Sequence, residues 1–219
     1  MRFLLVLLPA LVLTAQAQTG ASVKKVSDTK TAAPAVSKEG VASYKVSGSS
    51  SAPMTIELYT DYECPACRNF FLTTLPELTK DFVATGKARL IHRDFRIQSH
   101  KYTKVATRYA NAAGQIGKFD IVTQQLFQTQ NDWAQNGNVD GVVSKVLSPA
   151  EMEKVRDLVK NDAHLDDSVT RDEAMALGED HLTETPTMVI VLKGKRESFG
   201  LGGMSYPILK QYLTQKLGQ

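Results

Sequence analysis

The chain has 219 residues, only two cysteines, and 26 Lys and Arg against 23 Asp and Glu. A single cysteine pair excludes a scaffold stapled by several disulfides. The near-balanced charge, with no basic block beyond Lys24-Lys25 and the Lys193-Gly194-Lys195-Arg196 turn, gives no electrostatic footprint for nucleic acid or anionic membrane.

In chain order, the first segment reads as a secretory signal over residues 1–17. Arg2 supplies the positive start, Phe3 to Leu13 an apolar core, and Ala15-Gln16-Ala17 the small-x-small cleavage pattern. The apolar run is shorter than the roughly 18 to 20 residues that span a bilayer. Export, in practice to a bacterial periplasm, is the expectation. Residues 18–44 are rich in Ser, Thr, Ala and Lys without a sustained period, and read as a flexible polar tether. Residues 45–219 are long enough for one packed domain.

Within that domain Met54 to Tyr59 reads as a strand, with Ile56 and Leu58 on one face. A helix opens near Pro65 and carries Phe70, Phe71, Leu75, Leu78 and Phe82 at helical spacing. Pro76 predicts a kink in it, and Gly86 a stop. Ala88 to Phe95 is a second strand. Helices follow over Tyr102 to about Gly114 or Gly117, Phe119 to Phe127, Pro149 to about Lys160 and Leu165 to Leu177. The third of these opens on the capping box Ser148-Pro149-Ala150-Glu151. Thr187 to Leu192 and Lys195 to Phe199 read as a hairpin, and Ser205-Tyr206-Pro207 starts a last helix. Strand, helix, strand predicts a parallel pair, and the hairpin adds antiparallel edges. Residues of about 99–182 supply helices but no strand, so they form a helical insertion.

The chemistry is concentrated at Cys64-Pro65-Ala66-Cys67, between the first strand and its helix. A thiol at a helix N-terminus faces unpaired N–H groups and the positive end of the helix dipole, both of which favour the reactive thiolate. Three helical residues bring Cys67 to the same face as Cys64, so the pair can close and reopen as a disulfide. A bridge enclosing two residues restrains the unfolded chain very little, which argues against a purely structural staple.

These residues resemble the thioredoxin-fold family of exported thiol:disulfide oxidoreductases, in its DsbA-like branch. The resemblance is carried by Ala52-Pro53-Met54-Thr55-Ile56, Asp61-Tyr62-Glu63-Cys64-Pro65-Ala66-Cys67, Arg93-Asp94-Phe95, Thr185-Pro186-Thr187 and Leu126-Phe127 through Trp133, over roughly residues 48–217. It implies an α/β thioredoxin fold with an inserted helical subdomain, and Cys64 and Cys67 as the exchanging pair. It also implies a cis Pro186 packed on the Cys64 sulfur, and Thr185 as a backbone partner for an extended substrate. No metal or organic cofactor is implied beyond the redox-active disulfide. The implied partners are exported proteins with cysteines and a membrane component that resets the dithiol, and the chain is expected to be a monomer. Two positions depart from the family pattern. Leu58 stands six residues before Cys64, where many relatives carry an acid, and Glu57 falls on the opposite strand face. Ala66 replaces the histidine of the strongest oxidants, which predicts a less oxidising couple.

Of the other polar residues, Asp61, Glu63 and Arg68 lie close enough to tune the Cys64 charge, and Tyr59 and Tyr62 lead into the cysteine turn. Tyr102, Tyr109 and Trp133 read as packing rather than as a groove. The four histidines are scattered and do not show paired metal-ligand spacing. A dithiol oxidase is the reading these residues favour. A reductase or isomerase is the nearest alternative, and a thiol metallochaperone or a holdase chaperone is the alternative from another class.

Overall fold

Five strands order as β1-β3-β2-β4-β5 in the computed structural model, which describes residues 40–218. They are β1 (Val46–Ser47), β2 (Met54–Thr60), β3 (Ala88–Asp94), β4 (Thr187–Leu192) and β5 (Lys195–Gly200). The β2–β3 pair is parallel, as a strand-helix-strand start requires, and β4 runs antiparallel to β2. The β4–β5 hairpin turns on Lys193 and Gly194, with φ of 52° and 77°. Positive φ at both central residues matches the twist of the flanking strands. The short β1, antiparallel to β3, is too brief to show a period in the sequence.

The helical segment after β2 begins as α1 (Pro65–Asn69) and passes through a π-helical stretch, Phe70–Thr74, into α2 (Leu75–Leu78). A second π-helical stretch, Thr79–Val83, follows. The disturbance expected at Pro76 takes this form: proline has no N–H to continue the ordinary ladder, and the adjoining turn widens to the next spacing. Phe70, Leu78 and Phe82 bury against Ile56 and Leu58 of β2 and Leu209 and Leu213 of the final helix, α9 (Tyr206–Lys216). Each such buried side chain contributes roughly 1.5–3 kcal/mol.

Between β3 and β4 lie six helices: α3 (Thr103–Gln115), α4 (Phe119–Gln128), α5 (Gln130–Trp133), α6 (Val139–Val143), α7 (Pro149–Asn161) and α8 (Asp167–Gly178). Ser148 and Glu151 form the capping box of α7. The short α5 and α6 lack the length that makes a helical period visible. Trp133 is fully buried and donates its indole N–H to the Leu126 carbonyl at 2.8 Å. Tyr109 is also buried, so the packing reading holds for both.

The expected signal at 1–17 and most of the expected tether lie outside the described residues. The tether boundary at Tyr44 needs correction. Val41 and Ala42 are buried, and Ser43–Lys45 form a 3-10 turn. The Tyr44 ring lies 5.2 Å from that of Phe119. Gly114, inside the last turn of α3 rather than at its stop, makes room for that ring: a Cβ there would stand 2.5 Å from it. These contacts come from isolated residues with no period, so sequence pattern does not reveal them.

The sheet face opposite α1 carries Glu57 and Tyr59, packed under α8. Lys45 and Asp94 pair there, Arg93 bonds Asp172 at 2.8 Å and Glu57 at 3.1 Å, and Arg196 bonds Asp180 at 2.7 Å and Glu57 at 3.2 Å. Lys45, Arg93, Glu57 and Asp172 are all nearly inaccessible to solvent. Burial of this kind is tolerable only when every charge is paired. Glu57 therefore belongs to a structural ionic cluster, while Leu58 faces the main core.

Candidate functional site

Cys64 is the N-cap of α1, with extended backbone (φ −76°, ψ 119°) and Pro65 at the first helical position. Its sulfur accepts the N–H of Cys67 at 3.3 Å, the bond a serine or aspartate cap would ordinarily accept. Its other contact is the Thr185 carbonyl, at 3.4 Å. The Thr185–Pro186 peptide is cis. Both thiols are free, and the two residues approach to 3.2 Å. Cys64 is 7% exposed and Cys67 is fully buried.

These surroundings separate the two thiols. The neighbouring Cys67 side chain, the Thr185 side chain and the N–H groups of Cys67 and Ala66 bring the Cys64 thiol down to about 6, against the upward push of burial. Ala66 has no side-chain donor, yet its backbone serves the thiolate. Cys67 moves the other way: burial pushes its thiol well up, and proximity to Cys64 adds to the rise. The N–H of Asp61 donates to the Cys67 sulfur at 3.5 Å.

Asp61 and Tyr62, expected beside the site, hold the turn in place. The buried Asp61 carboxylate accepts the N–H of Glu63 and of Ile97, each at 2.7 Å, and lies 3.0 Å from His100 Nδ1. Tyr62 is buried, stacks on Phe127 at 5.1 Å and shares a hydrogen bond with Thr123. It thus anchors the turn to the helical insertion. Glu63 accepts the Tyr102 N–H at 2.6 Å, and Arg68 donates to the Phe127 carbonyl. Tyr59 is not at the site: its hydroxyl bonds Asp180 on the far face of the sheet.

Nothing in the sequence pattern points to Gln130. Its buried side-chain amide donates to the Tyr62 carbonyl at 2.7 Å and the Cys64 carbonyl at 3.0 Å. A donor more than sixty residues away leaves no local pattern to read. Among the described residues, no three His, Cys, Asp or Glu side chains converge as a metal-ligand group.

Comparison with known proteins identifies the family and the fold. A family model described as thioredoxin matches residues 42–196. The probable disulfide bond formation protein D of Bacillus cereus is 26% identical over 125 residues, which cover 55% of this chain and 56% of that protein. The chain thus matches little more than half the length of that relative. Among solved structures, alpha-DsbA1 of Wolbachia pipientis superposes with a TM-score of 0.63 at 19% identity, covering 80% of this chain and 90% of that one. Oxidised BdbD from Bacillus subtilis gives a TM-score of 0.65 at 19% identity, covering 80% and 93%. At these identities the structural likeness speaks for the fold.

Proposed function

We propose, from the premise that this chain belongs to the thioredoxin family, that it exchanges disulfides with other proteins through Cys64 and Cys67 and acts as a dithiol oxidase. One observation carries the reading: two adjacent thiols whose surroundings push them in opposite directions, Cys64 down to about 6 and Cys67 up. A low-pKa sulfur at the less buried of the two positions is a good leaving group, so a mixed disulfide through Cys64 resolves in favour of the substrate's own bridge.

The steps balance without an added cofactor. A substrate thiolate attacks Cys64 in the Cys64–Cys67 disulfide; the new bond joins substrate sulfur to Cys64, and Cys67 leaves and takes up a proton. A second substrate thiolate then attacks the first substrate sulfur. Cys64 leaves as a thiolate, and the substrate departs with its disulfide. Two electrons have passed to the pair. In the reductive direction Cys64 attacks and Cys67 resolves.

The helix N-terminus and the Thr185 carbonyl frame the sulfur that is attacked. Thr185 and Pro186 supply the backbone edge for an extended substrate, a role inferred from their position beside Cys64. A thiol near 6 lies between the strongly oxidising pairs of this fold, at about 3.5, and the reducing ones, at about 7. That supports a milder oxidant, in line with Ala66 at the position between the cysteines. Repeated turnover requires a partner that reoxidises the dithiol, and we place the protein outside the cytoplasm, where such oxidation is maintained.

Mixing the oxidised protein with a reduced, unfolded substrate tests the proposal. Stoichiometric disulfide transfer that Cys64→Ser abolishes is the expected result. Equilibration with glutathione then fixes the direction: a potential at the thioredoxin end, about −270 mV, assigns a reductase instead. Protection from aggregation that persists in Cys64→Ser without transfer assigns a chaperone.

A further inference from the structure

A cavity of about 690 Å³ opens between the β3–α3 and α8–β4 connections. Its walls are mainly apolar, formed by Phe95, Ile97, Leu177 and Leu182, with His100 and Thr183 also on the lining. The volume lies in the range of sites that hold a ligand rather than trapped water. It shares no residue with the smaller groove beside α1, lined by Ala66, Phe70, Leu201 and Met204 among others.

Both connections lead back to the dithiol. Thr183 precedes Thr185 by two residues, a length of chain that spans at most about 7 Å, and the Thr185 carbonyl is the group in contact with Cys64. From the other wall, His100 lies 3.0 Å from Asp61, whose N–H meets the Cys67 sulfur. At the rim Leu177 is 61% exposed, a large apolar side chain left in water. The rim also has a bias in charge. Arg96 is held by both oxygens of Glu173, at 2.7 and 3.0 Å, whereas the Lys104 side chain is 67% exposed and no nearer than 4.0 Å to Asp166.

We propose that this cavity is a substrate subsite. It receives a bulky apolar side chain of the polypeptide whose cysteine exchanges with Cys64, and Lys104 meets a carboxylate next to that side chain. The inference rests on the disulfide-exchange reading. An extended polypeptide advances about 3.3 Å per residue and returns to the same face every second residue, so the side chain two residues from the cysteine arrives at the cavity. A cysteine destined for burial carries apolar neighbours at that spacing, because the whole strand face enters the core. The subsite therefore selects chains that have not yet hidden that face, which is the state in which a new disulfide is needed.

The test uses the oxidised full chain and short peptides, each with one reduced cysteine and either leucine or serine two residues before or after it. In one of the two placements leucine raises the exchange rate about tenfold over serine, the scale of burying one such side chain. Leu177→Asp, at an exposed position, brings that ratio close to one. Lys104→Glu slows a peptide carrying an adjacent glutamate about threefold relative to one without it. Equal rates for all peptides overturn the subsite and leave disulfide exchange standing. A leucine preference that survives Leu177→Asp also overturns it and points to the groove beside α1. No exchange with any peptide overturns the functional reading itself, and the subsite with it.

Discussion

Cys67 gives its backbone N–H to the Cys64 sulfur across 3.3 Å, while its own sulfur is fully buried and accepts from Asp61 at 3.5 Å. One cysteine thus stabilises charge on the other while being denied charge itself. The redox couple should therefore change its proton count near pH 6. Below that, reduction takes up two protons with two electrons, and the potential falls by about 59 mV per pH unit; above it, one proton is taken up and the slope halves to about 30 mV. Stability follows the same shift. The folded thiol lies below its unfolded value, so its stabilisation of the reduced form is complete above the unfolded pKa and is lost as pH falls through about 6. Potential measured against pH checks both slopes, and a single slope of about 59 mV up to pH 8 or so would refute the asymmetry.

Gln130 is the second point of control. Its amide satisfies the carbonyls of Tyr62 and Cys64 in a dry environment. Gln130→Leu keeps much of the volume and strands two buried acceptors, at a cost of roughly 2–4 kcal/mol. Urea unfolding should show that loss. The Cys64 thiolate, followed by its ultraviolet absorbance, should titrate at higher pH because the turn presenting it has loosened. Loss of stability with an unmoved titration would mean that Gln130 braces the insertion alone.

What the sequence made legible, and what it did not, separates along physical lines. The strand Met54–Thr60, the capping box at Ser148 and the Lys193-Gly194 hairpin are written in local period and turn chemistry, and each stands where those rules put it. Cys64 and Cys67 were legible for the same reason, since three helical residues fix their approach. Gln130, His100 and the Val41–Lys45 segment were not. Their partners, among them Cys64, Asp61 and Asp94, lie far away in sequence, and one long-range contact produces no periodicity. The opposite faces of Glu57 and Leu58 followed from strand geometry, but nothing local announced the arginines that Glu57 meets.

The buried ionic cluster should be sensitive to the loss of one member. Arg93→Met removes a partner that Glu57 and Asp172 share; Glu57 keeps Arg196 at 3.2 Å, while Asp172 is left with the more distant Lys45, at 3.9 Å, in low dielectric. Breaking a buried pair from one side costs about 3–5 kcal/mol. Burial already pushes the Asp172 carboxyl up, with Lys45 and Arg93 opposing. The variant should therefore regain part of its stability on mild acidification, as Asp172, with less opposition to its burial, protonates. Denaturant unfolding at two pH values reads this directly, and a deficit that does not change with pH would show that lost packing, not stranded charge, is the cause.

Asp61 yields the sharpest separation between bracing and chemistry. Its two oxygens each accept a backbone N–H at 2.7 Å, one from Glu63 in the cysteine turn and one from Ile97 in the loop after β3. Asp61→Asn keeps the shape but offers one acceptor where two donors point, so an amide N–H must face a backbone N–H. The loss of one charge-assisted bond together with that repulsion is worth about 2–3 kcal/mol, or a fall in Tm of roughly 4–12 °C for a domain of this size. His100→Gln removes the 3.0 Å neighbour of the carboxylate and leaves both N–H bonds intact, and so should cost well under half as much. If the backbone bonds matter chiefly by holding the turn, Asp61→Asn lowers Tm and slows mixed-disulfide resolution together, because the N–H that meets the Cys67 sulfur belongs to the same residue. Equal losses in the two variants would instead assign the bracing to the His100 contact.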